Sequence, residues 1–203
     1  MAEERNKISP GEIEDRIVQL IFMAEVNLKC CKLISNYLKK KNNLEYSIFL
    51  KKDENKYLVL SEYNHFCESV GIIHTLLHRI DKKNRELSFQ LYQDEVLSKE
   101  CYNDESQKFI TNIKNLWKEF EEGKFSGIRD KICSHKEFNN IGDPTTLVIL
   151  PLDQRWIEKL DQVIEDLKRD VFKFFKGSIS NNPLDNSEWG LKSILNGIGE
   201  EHK

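Results

Sequence analysis

Between Gly11 and Lys41 the apolar residues Ile13, Ile17, Leu20, Ile21, Ala24, Leu28 and Cys31 return every three or four positions, the spacing of one face of an α-helix. A strand would need them to alternate. Ser9, Pro10 and Glu12 stand just ahead of this stripe at N-cap, first-turn and capping-box positions, so the sequence predicts a long first helix. The pattern recurs. Phe66, Val70, Ile73, Leu77 and Ile80 predict a second helix over residues 61–81, ending near Asp81. Phe109, Ile113, Leu116, Trp117 and Phe120 predict a third, with Asp104 and Gln107 as a capping-box-like start and Gly123 as the stop. Trp156, Leu160, Val163, Ile164, Leu167, Val171 and Phe174 predict a last long helix closed by Gly177.

The remaining segments are shorter. "RELSFQLYQDEVL" predicts a short helix, and "SEWGLKSIL" a C-terminal one. Residues 42–60, around "KKDEN", suit a loop, a short hairpin or an extra helical turn. Nothing repeats at a fixed period. The expected fold is therefore all-α, an up-and-down helical bundle with accessory helices. At 203 residues one domain is expected, with its core over residues 10–177 and an extension over 178–203. A composition of 39% hydrophobic and 32% charged residues with only four prolines suits that architecture.

Charge and apolar runs restrict the function. A net charge of -3 gives polyanions no overall attraction, so nucleic-acid binding requires a local basic patch. The longest apolar runs, such as "LVIL", are too short to cross a bilayer, and "MAEERNKISP" lacks the apolar core of a signal peptide. No membrane partner and a cytoplasmic location are expected. Cys30, Cys31, Cys67, Cys101 and Cys133 form no CxxC pair, and in that compartment they are expected to be reduced and mostly buried.

The stretch richest in chemistry is "GIRDKICSHKEF", residues 127–138. It holds Arg129, whose planar fork suits a phosphate, and His135, which titrates near neutrality. On one regular helix six positions correspond to about 9 Å of rise and about 120° of divergence, so the two would not share a face. "IRDKICSH" resembles the Arg-x4-6-His motif of the HEPN superfamily, helical-bundle proteins that include many RNA-cleaving toxins and defence ribonucleases. Upstream, "SEYNHFCESVGIIHTLLHRIDKKNRELSF" is similar to the AbiU-type abortive-infection branch, in which a helix ends on an arginine-apolar-aspartate triplet, here Arg79, Ile80 and Asp81. The resemblance spans about residues 10–175.

That resemblance implies a homodimer in which two Arg129/His135 pairs line one cleft and cleave RNA without a metal or other cofactor. The two His135 side chains would divide base and acid duties while Arg129 holds the phosphate. Asp130 and Ser134 would support them, and Lys131 and Lys136 would attract RNA. An antitoxin or another defence protein is an implied partner. A tyrosine two residues after the histidine accompanies control by nucleotide transfer; Glu137 stands there, so that control is not expected. The contrasting expectation, in another class, is a catalytically silent helical module that binds a protein or nucleotide.

Other features read as structural. His74 and His78 have the i, i+4 spacing of a zinc pair, but no HExxH and no further ligand at matching spacing accompany them. The runs "LKKKNN" and "LKKDENK" suit solvated ends and turns. The "FKFF" aromatics suit a core or a dimer surface better than a base-stacking platform.

Overall fold

A computed structural model describes residues 9–41, 53–78, 87–97, 103–125 and 152–175. They form α1 (Pro10–Lys41), α2 (Asp53–Leu77), a short α3 (Phe89–Tyr92) that runs on into a π-helical turn (Gln93–Leu97), α4 (Asp104–Glu122) and α5 (Gln154–Phe174). No strand occurs among the described residues. The protein is all-α, as the apolar spacing predicts.

The capping box that opens α1 is formed. Ser9 Oγ accepts from the Glu12 amide at 3.3 Å, and the Glu12 carboxylate accepts from the Ser9 amide at 2.8 Å. These bonds hold the Glu12 carboxyl below its ordinary pKa. α2 begins at Asp53, eight residues ahead of the predicted start, so residues 53–60 are the extra helical turns left open above. It is described to Leu77; Ile80 and Asp81, at the predicted end of the second helix, lie outside the described residues, as do 42–52. α4 is capped by Asn103 rather than Asp104: the Asn103 side chain accepts from the Ser106 amide at 2.9 Å. Asp153 caps α5, accepting from the Arg155 amide at 2.9 Å. Gly177 and "SEWGLKSIL" lie outside the described residues.

Side-chain pairs fix the topology. Ser69 Oγ donates to the Ala24 carbonyl and His65 pairs with Asn27, so α2 runs back along α1. Lys168 with Glu25, Lys32 with Asp161 and Lys39 with Gln154 set α5 antiparallel to α1 as well. Lys39 of the "LKKKNN" run is thus an inter-helix contact rather than only a solvated end. All five helices feed one core that includes Ile17, Ile21, Phe66, Ile73, Phe120 and Leu160. A satellite of Ile34, Leu38 and Val59 closes the other end of the α1–α2 pair.

The "FKFF" aromatics belong to this core. Phe174 stacks on Phe109 with centroids 4.2 Å apart, Phe172 meets Phe22 at 5.6 Å, and Phe175 is buried against Tyr92. The cysteine expectation needs correction. Cys30 and Cys31 are free and buried, but Cys67 is disulfide-bonded.

Candidate functional site

Arg129, Asp130, Lys131, Ser134, His135 and Lys136 all lie outside the described residues, as do Arg79, Ile80 and Asp81. What is described is the scaffold on either side of the motif. α4 ends at Gly123, and Lys124 turns the chain with a positive φ of 60°. That turn drives Phe125 inward, where it is fully buried with its ring 5.1 Å from Phe120 and 6.3 Å from Phe66 of α2. Arg129 comes four residues later in the sequence.

The chain is next described at Leu152, which is buried, and its amide approaches the carboxylate of Glu62. Glu62 and Phe66 are one turn apart on the same face of α2. Phe125 and Leu152, far apart in the sequence, therefore both lie against a single turn of that helix.

Glu62 is the least expected residue of this scaffold. Its side chain is 0% exposed, and both carboxylate oxygens lack a hydrogen-bond partner. Burial pushes its pKa up. The Ser35 hydroxyl and the Leu152 amide lie near enough to oppose that shift, as does the charge of Lys39. Neither neighbour reaches hydrogen-bond geometry, so desolvation wins and the neutral carboxyl is favoured. The Cys31 thiol is also pushed up, by burial first and by the adjacent Glu62 second, and it stays protonated.

Other titratable groups line the helices around it. His65 is partly buried and its pKa is lowered by desolvation, against a smaller opposing effect of Glu68. Asn27 donates its amide to the Met23 carbonyl, which leaves Asn27 Oδ1 as the acceptor for His65 Nδ1 at 2.9 Å. The proton of the neutral ring is thereby assigned to Nδ1. Burial pushes Glu25 up, but Lys168 and Lys29, at 3.0 and 3.1 Å, outweigh it and leave the carboxyl below its ordinary value.

His74 and His78 stack on each other with centroids 4.7 Å apart and planes 18° from parallel. Trp117 of α4 lies against both, at 5.6 and 5.1 Å. Nearly parallel stacked rings are packed as a pair of aromatic plates, an arrangement unlike ligands converging on one ion. His78 Nδ1 is buried without a hydrogen-bond partner. Among the described residues no group of three or more His, Cys, Asp or Glu is placed to hold a metal ion. No described helix is long and apolar enough to cross a membrane.

These features define an all-α helical bundle with a buried carboxyl at Glu62 and a buried ring at Phe125. No protein-family model, curated protein or solved structure matches the chain. Sequence reasoning missed Glu62 and the Cys67 disulfide. A signal existed for the first: Glu62 stands three residues after Val59 and four before Phe66, inside the inward stripe of α2.

Proposed function

We propose that this chain is a metal-independent endoribonuclease of the HEPN type, serving a toxin or phage-defence system, with a composite site built from two copies of Arg129 and His135. The observation that carries the reading is "IRDKICSH" itself, which begins three residues after Phe125. The helical bundle is compatible with it.

In this reading one His135 removes the proton of a ribose 2′-hydroxyl, and that oxygen attacks the adjacent phosphorus. The second His135 protonates the departing 5′-oxygen, leaving a 2′,3′-cyclic phosphate. Arg129 spans two phosphate oxygens with its planar fork as negative charge builds up in the transition state. Asp130 and Ser134 orient these groups, and Lys131 and Lys136 attract the RNA backbone. Two copies supply the two histidines that such a reaction uses, and they remove the need for Arg129 and His135 to share one face.

The test is cleavage of a mixed RNA pool in EDTA, with DNA as the inert comparison. His135→Ala is expected to slow cleavage by about 10²-fold to 10⁴-fold with unchanged helicity. Arg129→Lys keeps the charge but loses the fork, and a large loss is expected there too. Wild type that cleaves no RNA, while both variants keep the same cellular partner, would replace the ribonuclease reading by that of a silent interaction module.

A further inference from the structure

Glu62 lies where three elements meet, fully enclosed and with both carboxyl oxygens unpaired. α1 presents Cys31, Ser35 and Lys39 to it, and the chain just ahead of α5 presents the Leu152 amide. On its own helix, Val59 and Phe66 one turn away are buried and apolar, while His65 is turned to Asn27 of α1. Beside this junction the Lys39 ammonium donates to the side-chain carbonyl of Gln154, the first residue of α5. We propose that Lys39 is a proton-operated switch with two partners, holding Gln154 while Glu62 is neutral and swinging to Glu62 once that carboxyl ionises.

Reach permits the exchange. Ser35, which borders Glu62, and Lys39 are four residues apart on α1, so their Cβ atoms are neighbours at about 5–6 Å. The flexible four-carbon stem of a lysine covers that distance. Lys39 is exposed, so no packing holds its stem in place, and the Gln154 contact is the one to be given up.

Charge drives it. Once ionised, Glu62 is an enclosed anion whose nearest neighbours are a hydroxyl, a thiol and a peptide N–H, and a buried charge without a counter-charge is strongly unfavourable. The Cys31 thiol stays protonated and offers at most a weak S–H donor. Two other lysines of α1 are already committed, Lys29 to Glu25 and Lys32 to Asp161. Among the described residues Lys39 is the cation whose charge acts on Glu62. Its ammonium gains from a carboxylate a Coulomb attraction that the neutral Gln154 amide does not supply.

The direction with pH follows. Enclosure raises the pKa of Glu62, so the exchange takes place as pH rises through that raised value and not in the ordinary carboxylate range. Below it Lys39 ties α1 to the first turn of α5, which is the arrangement observed. Above it Lys39 ties α1 to α2, and Gln154 is released. The start of α5 thereby responds to a proton held on another helix, and this response does not depend on the ribonuclease reading.

The experiment is an NMR titration of the full-length, 13C- and 15N-labelled chain from about pH 4 to about pH 9, spanning the ordinary carboxylate range and well above it. It follows Glu62 Cδ, the Gln154 side-chain amide and the Leu152 backbone amide. The Gln154 signal is expected to shift with the same midpoint as Glu62 Cδ, above the ordinary carboxylate range. In Lys39→Met the Gln154 signal should stop titrating, the Leu152 amide should continue, and the Glu62 midpoint should move further up because the ion no longer has its cation. In Glu62→Gln both the Gln154 and Leu152 signals should stay flat over that interval. A Gln154 signal that is flat through the wild-type Glu62 midpoint, or that still titrates in Glu62→Gln, would overturn the switch. So would a Glu62 midpoint in the ordinary range, or one unmoved by Lys39→Met. The wild-type titration needs no variant, so the switch can be refuted even where a substitution impairs folding.

Discussion

Glu62 is an acid in a place built for a hydrocarbon. Its neighbours are Cys31, Ser35 and Lys39 on α1 and the Leu152 amide ahead of α5, and its oxygens remain unpaired. Because burial raises its folded-state pKa, the folded chain keeps the proton over a range in which the unfolded chain has already lost it. The folded state then binds more protons, so stability is fully present below the ordinary carboxylate range and declines as pH rises through the raised pKa. Glu62→Gln removes the titration while keeping the shape. It is expected to change the melting temperature little near pH 4 and to stabilise the protein at pH 8. The gain should be about 1–3 kcal/mol, the scale of a buried polar group without partners. Thermal melts of both proteins across this range check it, and an equal effect at both ends would refute the titration argument.

Helix ends show how far local signals reach. The capping box of α1 was legible because Ser9 and Glu12 complete it with no help from elsewhere. The start of α4 was misplaced by one residue because Asn103 and Asp104 are both competent caps, and only the fold selects between them. Gly123 stops α4 as expected, but its conformational freedom is not used: its φ is an ordinary -67°. It is needed because a Cβ there would meet the Phe125 ring at 2.4 and 2.8 Å. Gly71, inside α2, has open space around the same position. The two Gly→Ala substitutions should therefore differ in sign. Gly71→Ala is expected to stabilise by about 0.5–1 kcal/mol, whereas Gly123→Ala should destabilise by about 1–3 kcal/mol through displacement of Phe125. Denaturant unfolding of the pair measures both.

For the whole molecule, the ribonuclease reading requires two copies. The aromatic-rich last helix gives dimerisation little support, since Phe172, Phe174 and Phe175 pack on the protein's own core. The requirement rests instead on the divergence of Arg129 and His135 and on the need for two histidines. A stable interface would bury about 800 Å² on each copy. Light scattering at micromolar concentration is expected to report a dimer, and a strict monomer would count against the composite site.

The sequence alone determined the all-α class, the four long helices and one inward stripe on each, though not buried residues beside those stripes such as Val18, Phe22, Ile34, Leu76 and Ile157, because helical periodicity is written in neighbours three and four positions apart. It also marked Arg129 and His135, through a motif that needs no tertiary context to be noticed. Only the tertiary structure decided which helices pair, that Glu62 is enclosed rather than solvated, that Gly123 makes room for a ring, and that Cys67 leaves the thiol state. Glu62 depends on Ser35 and Leu152, groups far from it in the chain, and Gly123 on a ring that packs against Phe66 of α2. Periodicity reports which face of a helix is buried; what that face meets is set by packing, and packing is what encloses a carboxyl and raises its pKa.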